Sequence, residues 1–490
     1  MSSETLHVKI KEDETAVLRY QKLKSIGQEV LASGSFILTD HTTESDANLG
    51  KKILTEGIHE TNPPLWASYF EHIIIAPEYG KKIASSAADC GLDVNPYEIE
   101  FLLHLHDVGR LVTSSAYLRN DYIGNRLLVE FGIPRPLLRN LPSNEKLMST
   151  AETMNLDHEQ LTFQSPLNEE QKKIASEYFE GMSPTTRIIN FADNLGKRDK
   201  KNGLFNAEIF LSYLKSQESR YDQSSLWPSI KWALPKRQAG AILQSYIIEK
   251  TVEWLTNLGV DLNEIHDQLS DFGPHFIVVA RHGELNNPKN IVYNRDSFML
   301  PEDRIHLSDS GKNQMEILGQ TLHKRQFNVT QIIASPEERA QESAKFISDQ
   351  LGNPPIAINP NLDDNFSPGP YREKMTMNQL AEIGGNVYSQ RWEKYQHEQP
   401  DSVVKRMHQQ FMEMSNSLKT GETGVLVSHG DPIAWLLNTL QSELIPNPED
   451  LRHLEYPAKG EAVIVIINSD NTIYSSYSTR SFLPTNRKIY

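Results

Sequence analysis

The chain has 490 residues, with 49 Lys+Arg against 64 Asp+Glu, a formal net charge of -15, 38% hydrophobic residues and 23% charged residues. At ~100–200 residues per domain, that length holds two to four globular domains. The acidic balance sets aside a general nucleic-acid or anionic-membrane binder, since both need a basic surface. The one cysteine, Cys90, excludes an intrachain disulfide and a Cys-based zinc site, and it fits a reducing cytoplasm. The opening MSSETLHVKIKEDE has no apolar signal core, and no apolar run is long enough to span a bilayer. A cytoplasmic protein without a membrane segment is expected.

In chain order, the pattern is helical up to about residue 270. Glu14–Ser33 is one amphipathic run, and residues 1–46 form an N-terminal helical extension in this reading. Pro63 to Ile75 is a second run, with Asn62 placed to cap its start and Pro77 expected to kink or restart it. Asn95-Pro96-Tyr97-Glu98 opens a helix with Asn95 as cap, and this helix should stop near Gly109. Ser183-Pro184 opens another through Ile188, Ile189, Ala192 and Leu195, and further helices are expected near 207–217 and 239–258. After Gly273, strands alternate with helices. Phe276–Ala280, Gln331–Ala334 and Val425–Val427 read as buried parallel strands, and Ala462–Ile467 with Thr472–Tyr477 as a closing hairpin. Helical faces Ala340/Ala344/Ile347/Leu351 and Val404/Met407/Phe411/Met414/Leu418 lie between the strands. The reading is an all-α domain at 47–270 joined to an α/β domain at 271–490, with a mainly parallel sheet in a three-layer sandwich.

Three strand ends in the second half carry chemistry. They are Arg281-His282-Gly283-Glu284, Ser335-Pro336-Glu337-Glu338-Arg339-Ala340 and Ser428-His429-Gly430-Asp431. In a parallel sheet ligands bind outside the carboxyl ends of strands. Two arginines and two histidines on one rim suit a dianionic phosphoryl group. In this order the motifs resemble the histidine phosphatase (phosphoglycerate mutase-like) superfamily, over roughly Pro274 to Ser478. The stretch after the first motif, with Asn287-Pro288 and Tyr293-Asn294-Arg295, resembles one branch of it; Leu285 and Pro288 depart from the commoner pattern. The resemblance implies that His282 attacks phosphorus and that Arg281, Arg339 and His429 hold the phosphoryl oxygens. It also implies an acid in the Leu362-Asp363-Asp364 segment, with Asp364 aligned best and Asp363 in reserve. No cofactor is implied for this half.

In the first half, His106 and Asp107 follow Leu102 and Leu103 by four residues, and Asp193 follows Ile189 by four, so these polar groups project near apolar stripes. Buried ionisable groups need partners or a metal. His72 lies on an earlier apolar helix. A His, then His-Asp, then a later Asp resembles the HD-domain phosphohydrolases, over roughly Ala47 to Lys200. That resemblance implies a divalent metal (Mn, Mg, Fe, Co, Ni or Zn) on His72, His106, Asp107 and Asp193, with Arg110 placed to contact a substrate phosphate. His104 and His158 are read as non-ligands, and Lys197 to Lys201 as a solvated helix end. The expectation is a bifunctional phosphohydrolase acting on small phosphorylated substrates, without a nucleic-acid partner and with a homo-oligomer left open. Two alternatives remain open: a phosphoglycerate mutase-like phosphotransferase, and a phosphatase whose HD half is a non-catalytic sensor.

Overall fold

The computed structural model describes residues 14–33, 42–63, 65–112, 120–142, 144–154, 167–199, 203–216, 234–382, 397–442 and 456–479, and the chain divides into two units between Gly273 and Pro274. His158, Lys200, Lys201 and the first residues of the 1–46 extension lie outside the described residues.

Among the described residues the first unit is helical apart from a two-residue antiparallel ladder, Arg198–Asp199 with Gly203–Leu204. Its described N-terminal helix, Glu14–Ser33, is tied to the next one: Arg19 Nε donates to the Thr61 carbonyl at 3.2 Å. The helix Glu44–Thr61 starts on a capping box between Thr43 and Asp46. Asn62 closes this helix rather than opening the next, and it sits in the left-handed region at φ 42°. Asparagine tolerates that conformation at a helix end, which is why it reads equally well as either kind of cap.

The following helix, Ala67–Asp89, runs without a break through Pro77. A proline inside a helix costs about 3 kcal/mol. Both halves of this helix bury apolar faces, with Phe70, Ile73, Ile75, Tyr79, Ile83 and Ala84 all within 1% of full burial. At about 1.5–3 kcal/mol for each large buried side chain, that outweighs one lost backbone bond. Asn95 Oδ1 accepts from the amides of Tyr97 and Glu98 at the start of Pro96–Leu105. This helix ends four residues earlier than expected, and a short 3-10 turn over Val108–Leu111 follows. Pro184–Leu195 begins on the Ser183 cap and packs on Ala67–Asp89. That packing is close: a Cβ added at Gly196 would fall 2.4 Å from Ala76 Cα.

The second unit is built on a six-stranded sheet. Its order is Ile473–Ser478, Ala462–Ile467, His275–Arg281, Glu422–Ser428, Asn328–Ala334, Ile356–Ile358. The last four run parallel, and the first two close the sheet antiparallel. The exposed edge strand Ile356–Ile358 is only three residues long and was not expected from the sequence. On one face Ile277, Val279, Leu426, Val463 and Val465 pack with Met407, Phe411, Trp435 and Leu436, from the helices Pro400–Ser417 and Gly430–Ser442. Alternation sends Val278 and Ala280 to the other face. The helix Glu338–Asp349 packs on the sheet with Ala340, Ala344 and Ile347 buried.

Candidate active sites

Register decides the second unit's site. Arg281 is level with Ser428, and Ala334 with Val427, so three parallel strands end abreast. The next residues, His282, Ser335 and His429, therefore meet above the sheet edge, and all are at most 1% exposed. The rings of His282 and His429 have centroids 5.3 Å apart. His282 Nδ1–H donates to the Gly283 carbonyl at 2.8 Å. That bond sets the tautomer and leaves Nε2 with a free lone pair. Burial, then the neighbouring charges of His429, Arg339 and Arg281, hold the His282 pKa well below the usual imidazole value. The imidazole is thus a neutral nucleophile in cationic surroundings.

His429 Nε2 shares a hydrogen bond with Ser335 Oγ at 2.9 Å, and its Nδ1 lies 3.6 Å from Asp364 Oδ2. The same carboxylate oxygen accepts from Arg339 Nη2 at 3.0 Å. Asp364 thus joins the cluster. Asp363 reaches the cluster only through Ser335, whose Oγ donates to it at 3.4 Å, and its other oxygen lies 3.7 Å from Arg295 Nη1. Arg281 Nη1 donates to the Pro457 carbonyl at 3.0 Å, and its guanidinium lies over the Tyr456 ring. The Nε–H groups of Arg281 and Arg339 are buried with no acceptor among the described residues. A tetrahedral oxyanion supplies the acceptors they lack.

Two features of this site were not assigned from the sequence. First, Arg339 is fully buried among carboxylates: besides Asp364, Glu337 Oε2 is 3.5 Å and Asp296 Oδ1 is 3.6 Å from its Nη1. Burial raises the Glu337 pKa to about 8 against the pull of Arg339, which favours the protonated carboxyl. Second, Arg406 donates to the carbonyls of Asn361, Asp363 and Asp364, and Arg295 Nε donates to the Asp364 carbonyl at 2.7 Å. Glu398 joins both arginines, at 2.7 Å and 2.8 Å. These bonds pin the segment that presents Asp364.

In the first unit four predicted residues come together. His72 Nε2 and His106 Nε2 are 3.0 Å apart, and Asp193 Oδ1 is 3.2 Å and 3.1 Å from them. Asp107 Oδ2 lies further out, at 3.9 Å and 3.8 Å from the same nitrogens. Each imidazole gives its other nitrogen to the backbone. His72 Nδ1 bonds the Gly196 carbonyl at 3.0 Å, and His106 Nδ1 bonds the Leu103 carbonyl at 2.6 Å. Both Nε2 lone pairs therefore point at one spot. Burial opposes a charge on His106, but the carboxylates of Asp193 and Asp107 outweigh it and raise its pKa to about 9, so without a cation a proton fills that spot. The donor set fits a divalent cation: ligands at about 2.1 Å in right-angle positions lie about 3 Å apart, and ligating histidines commonly donate their second N–H to a carbonyl. Arg110 Nε is 2.7 Å from Asp107 Oδ2, and its side chain is half exposed. His104 is buried away from this cluster, and burial drops its pKa to about 3. Lys197 and Arg198 do not form a solvated helix end, because both are half-buried and Arg198 Nη2 donates to the Phe272 carbonyl at 2.8 Å.

Residues 277–474 match the family model described as the histidine phosphatase superfamily (branch 1). The second unit carries a histidine phosphatase superfamily domain. Among curated proteins, the chain is 42% identical over 66 residues to the uncharacterized protein Rv0525 of Mycobacterium tuberculosis; this is 14% of the chain and 29% of that protein's length. Solved structures that resemble the histidine phosphatase half include a mycobacterial glucosyl-3-phosphoglycerate phosphatase, with 20% identity, TM-score 0.32, and coverage of 41% of this chain and 96% of that one. Another is an alpha-ribazole phosphatase from Shigella flexneri, with 19% identity, TM-score 0.31, and coverage of 41% and 93%. A phosphoserine phosphatase from Entamoeba histolytica has 19% identity, TM-score 0.32, and coverage of 43% and 100%. Among the described residues no helix is long and apolar enough to cross a membrane.

Proposed function

We propose that the histidine phosphatase domain hydrolyses a phosphomonoester through a phosphohistidine, and that the first unit is an HD-like, metal-dependent phosphohydrolase. The observation that carries the first half is the His282 tautomer. With Nδ1–H held by Gly283, the Nε2 lone pair is free to attack. Attack forms the N–P bond while the ester P–O bond breaks, and Asp364 passes its proton to the leaving oxygen. Arg281, Arg339 and His429 offset charge on the phosphoryl oxygens. Water then attacks phosphorus, Asp364 takes its proton, and phosphate leaves with His282 restored.

In the first unit His72, His106, Asp193 and Asp107 would hold the cation. When bound, the cation supplies an activated water or a polarised phosphoryl oxygen. The carbonyls of Gly196 and Leu103 hold the two imidazoles in the ligating tautomer, and Arg110 keeps the Asp107 carboxylate oriented. The substrates are small phosphorylated metabolites, and a cytoplasmic location fits the single thiol.

The test is a phosphomonoester panel, including nucleotides, run with excess EDTA and then with Mn²⁺ on wild type, His282→Ala and Asp107→Ala. EDTA-resistant activity that vanishes in His282→Ala supports the covalent route, and Mn²⁺-dependent activity lost in Asp107→Ala supports the metal route. If no activity depends on His282, the covalent reading is wrong.

A further inference from the structure

Lys197 stands directly after the residue whose carbonyl orients His72, and four residues after Asp193. The helix Pro184–Leu195 ends at Gly196, whose close approach to Ala76 leaves no room for a side chain. This places Lys197 at the metal-site end of that helix, within electrostatic reach of Asp193, Asp107 and Arg110. Its ammonium lies 5.6, 5.2 and 5.8 Å from the ring centroids of Phe205, Phe210 and Tyr213. The rings hold the charge by their negative faces, but they accept no conventional hydrogen bond. No oxygen within hydrogen-bond or ion-pair distance of Nζ occurs among the described residues. Burial, only partly offset by Asp193, lowers its pKa, as expected of an ammonium short of partners. A half-buried cation with three donors and no oxygen acceptor among the described residues, within electrostatic reach of a group of metal-type ligands, has the chemistry of an anion anchor.

We propose that Lys197 is the anion-binding residue of the first unit, donating to an oxygen of a substrate phosphate held beside His72, His106 and Asp193. The assignment rests on the metal-site reading above. It narrows the substrate to compounds with a phosphate at the reacting position, and it gives the aromatic box a purpose: the box fixes the lysine without consuming its donors.

The test uses the full-length protein, Mn²⁺ and inorganic phosphate. The readout is ³¹P line broadening by bound Mn²⁺, with His72→Ala subtracted so that phosphate at the histidine phosphatase domain does not count. Lys197→Met should bind Mn²⁺ within about 2-fold of wild type yet lose phosphate affinity by about 10-fold or more, the scale of one charge-assisted hydrogen bond. Lys197→Arg should recover most of that loss. Wild-type broadening in Lys197→Met would overturn this assignment alone. Loss of Mn²⁺ binding together with phosphate in Lys197→Met would make the lysine a structural prop and also overturn it. Absence of any His72-dependent Mn²⁺ binding in wild type would overturn the metal-site reading and this inference with it.

Discussion

His72 Nε2 and His106 Nε2 lie 3.0 Å apart while the Nδ1–H of each ring is committed to a backbone carbonyl. The two ring nitrogens close on one spot, which a proton on His106 fills when no cation is there, and a cation bound to both rings and to Asp193 takes that proton's place. Metal should therefore stabilise the chain. Free Mn²⁺ or Zn²⁺ at 100 times its dissociation constant contributes about 2.7 kcal/mol. For a unit of this size that shifts Tm by about 5–10 °C. Differential scanning calorimetry of EDTA-stripped and reloaded protein checks this, and His106→Ala should show no metal-dependent shift.

Asp364 and Asp363 separate by the substrate that reveals them. A proton donor matters most when the leaving alkoxide is basic. Asp364→Asn should lower kcat on alkyl phosphates by about 10²–10⁴-fold and on p-nitrophenyl phosphate much less. Asp363→Asn should affect both substrates alike and modestly, because its carboxylate faces Ser335 and Arg295. Equal losses on both substrates in Asp364→Asn would remove it from the acid role.

Glu337 makes the fold sensitive to alkaline pH. Its pKa rises from 4.5 to about 8 on folding, chiefly through burial. The sign follows from linkage: below the unfolded value both states hold the proton, and between the two values only the native state does. Stability from this group is thus full at acid pH and is lost as pH climbs to about 8. Glu337→Gln mimics the protonated form, so its Tm should gain on wild type between pH 5 and 8.5. A Tm difference that stays constant over that range would refute the assignment.

Arg406 is a positioning residue, holding three carbonyls of the segment that presents Asp364. Arg406→Gln should reduce kcat by about 10-fold or more while KM stays within about 2-fold, since misplacing a catalytic group by about 1 Å is enough. The loss should be larger for alkyl than for p-nitrophenyl phosphate, matching Asp364→Asn. A uniform loss explained by a lower Tm would make its role structural only.

Much of this was legible along the chain. His282, Arg339 and His429 are in motifs because a parallel strand ends next to each, and a buried strand announces itself as a short apolar run. Asp193 was legible because helical periodicity places it against the apolar stripe, whereas His106 and Asp107 lie just past the end of Pro96–Leu105 and were legible from their motif. Asn62 misled because an asparagine caps either end of a helix. Pro77 misled because the packing that offsets its missing N–H comes from distant helices.

What periodicity and motif spacing determine is which residues face inward and which strand ends carry charge, since both depend on neighbours within a turn or a strand. The partners of those charges are another matter. Arg339 meets Glu337 and Asp296, Arg406 grips 361–364, and Lys197 sits among Phe205, Phe210 and Tyr213. Most of these contacts join residues from different elements, and burial then changes their chemistry: the Glu337 carboxyl keeps its proton to about pH 8 and the His282 imidazole refuses one. Only the tertiary fold decides them, because desolvation and charge act through space rather than along the chain.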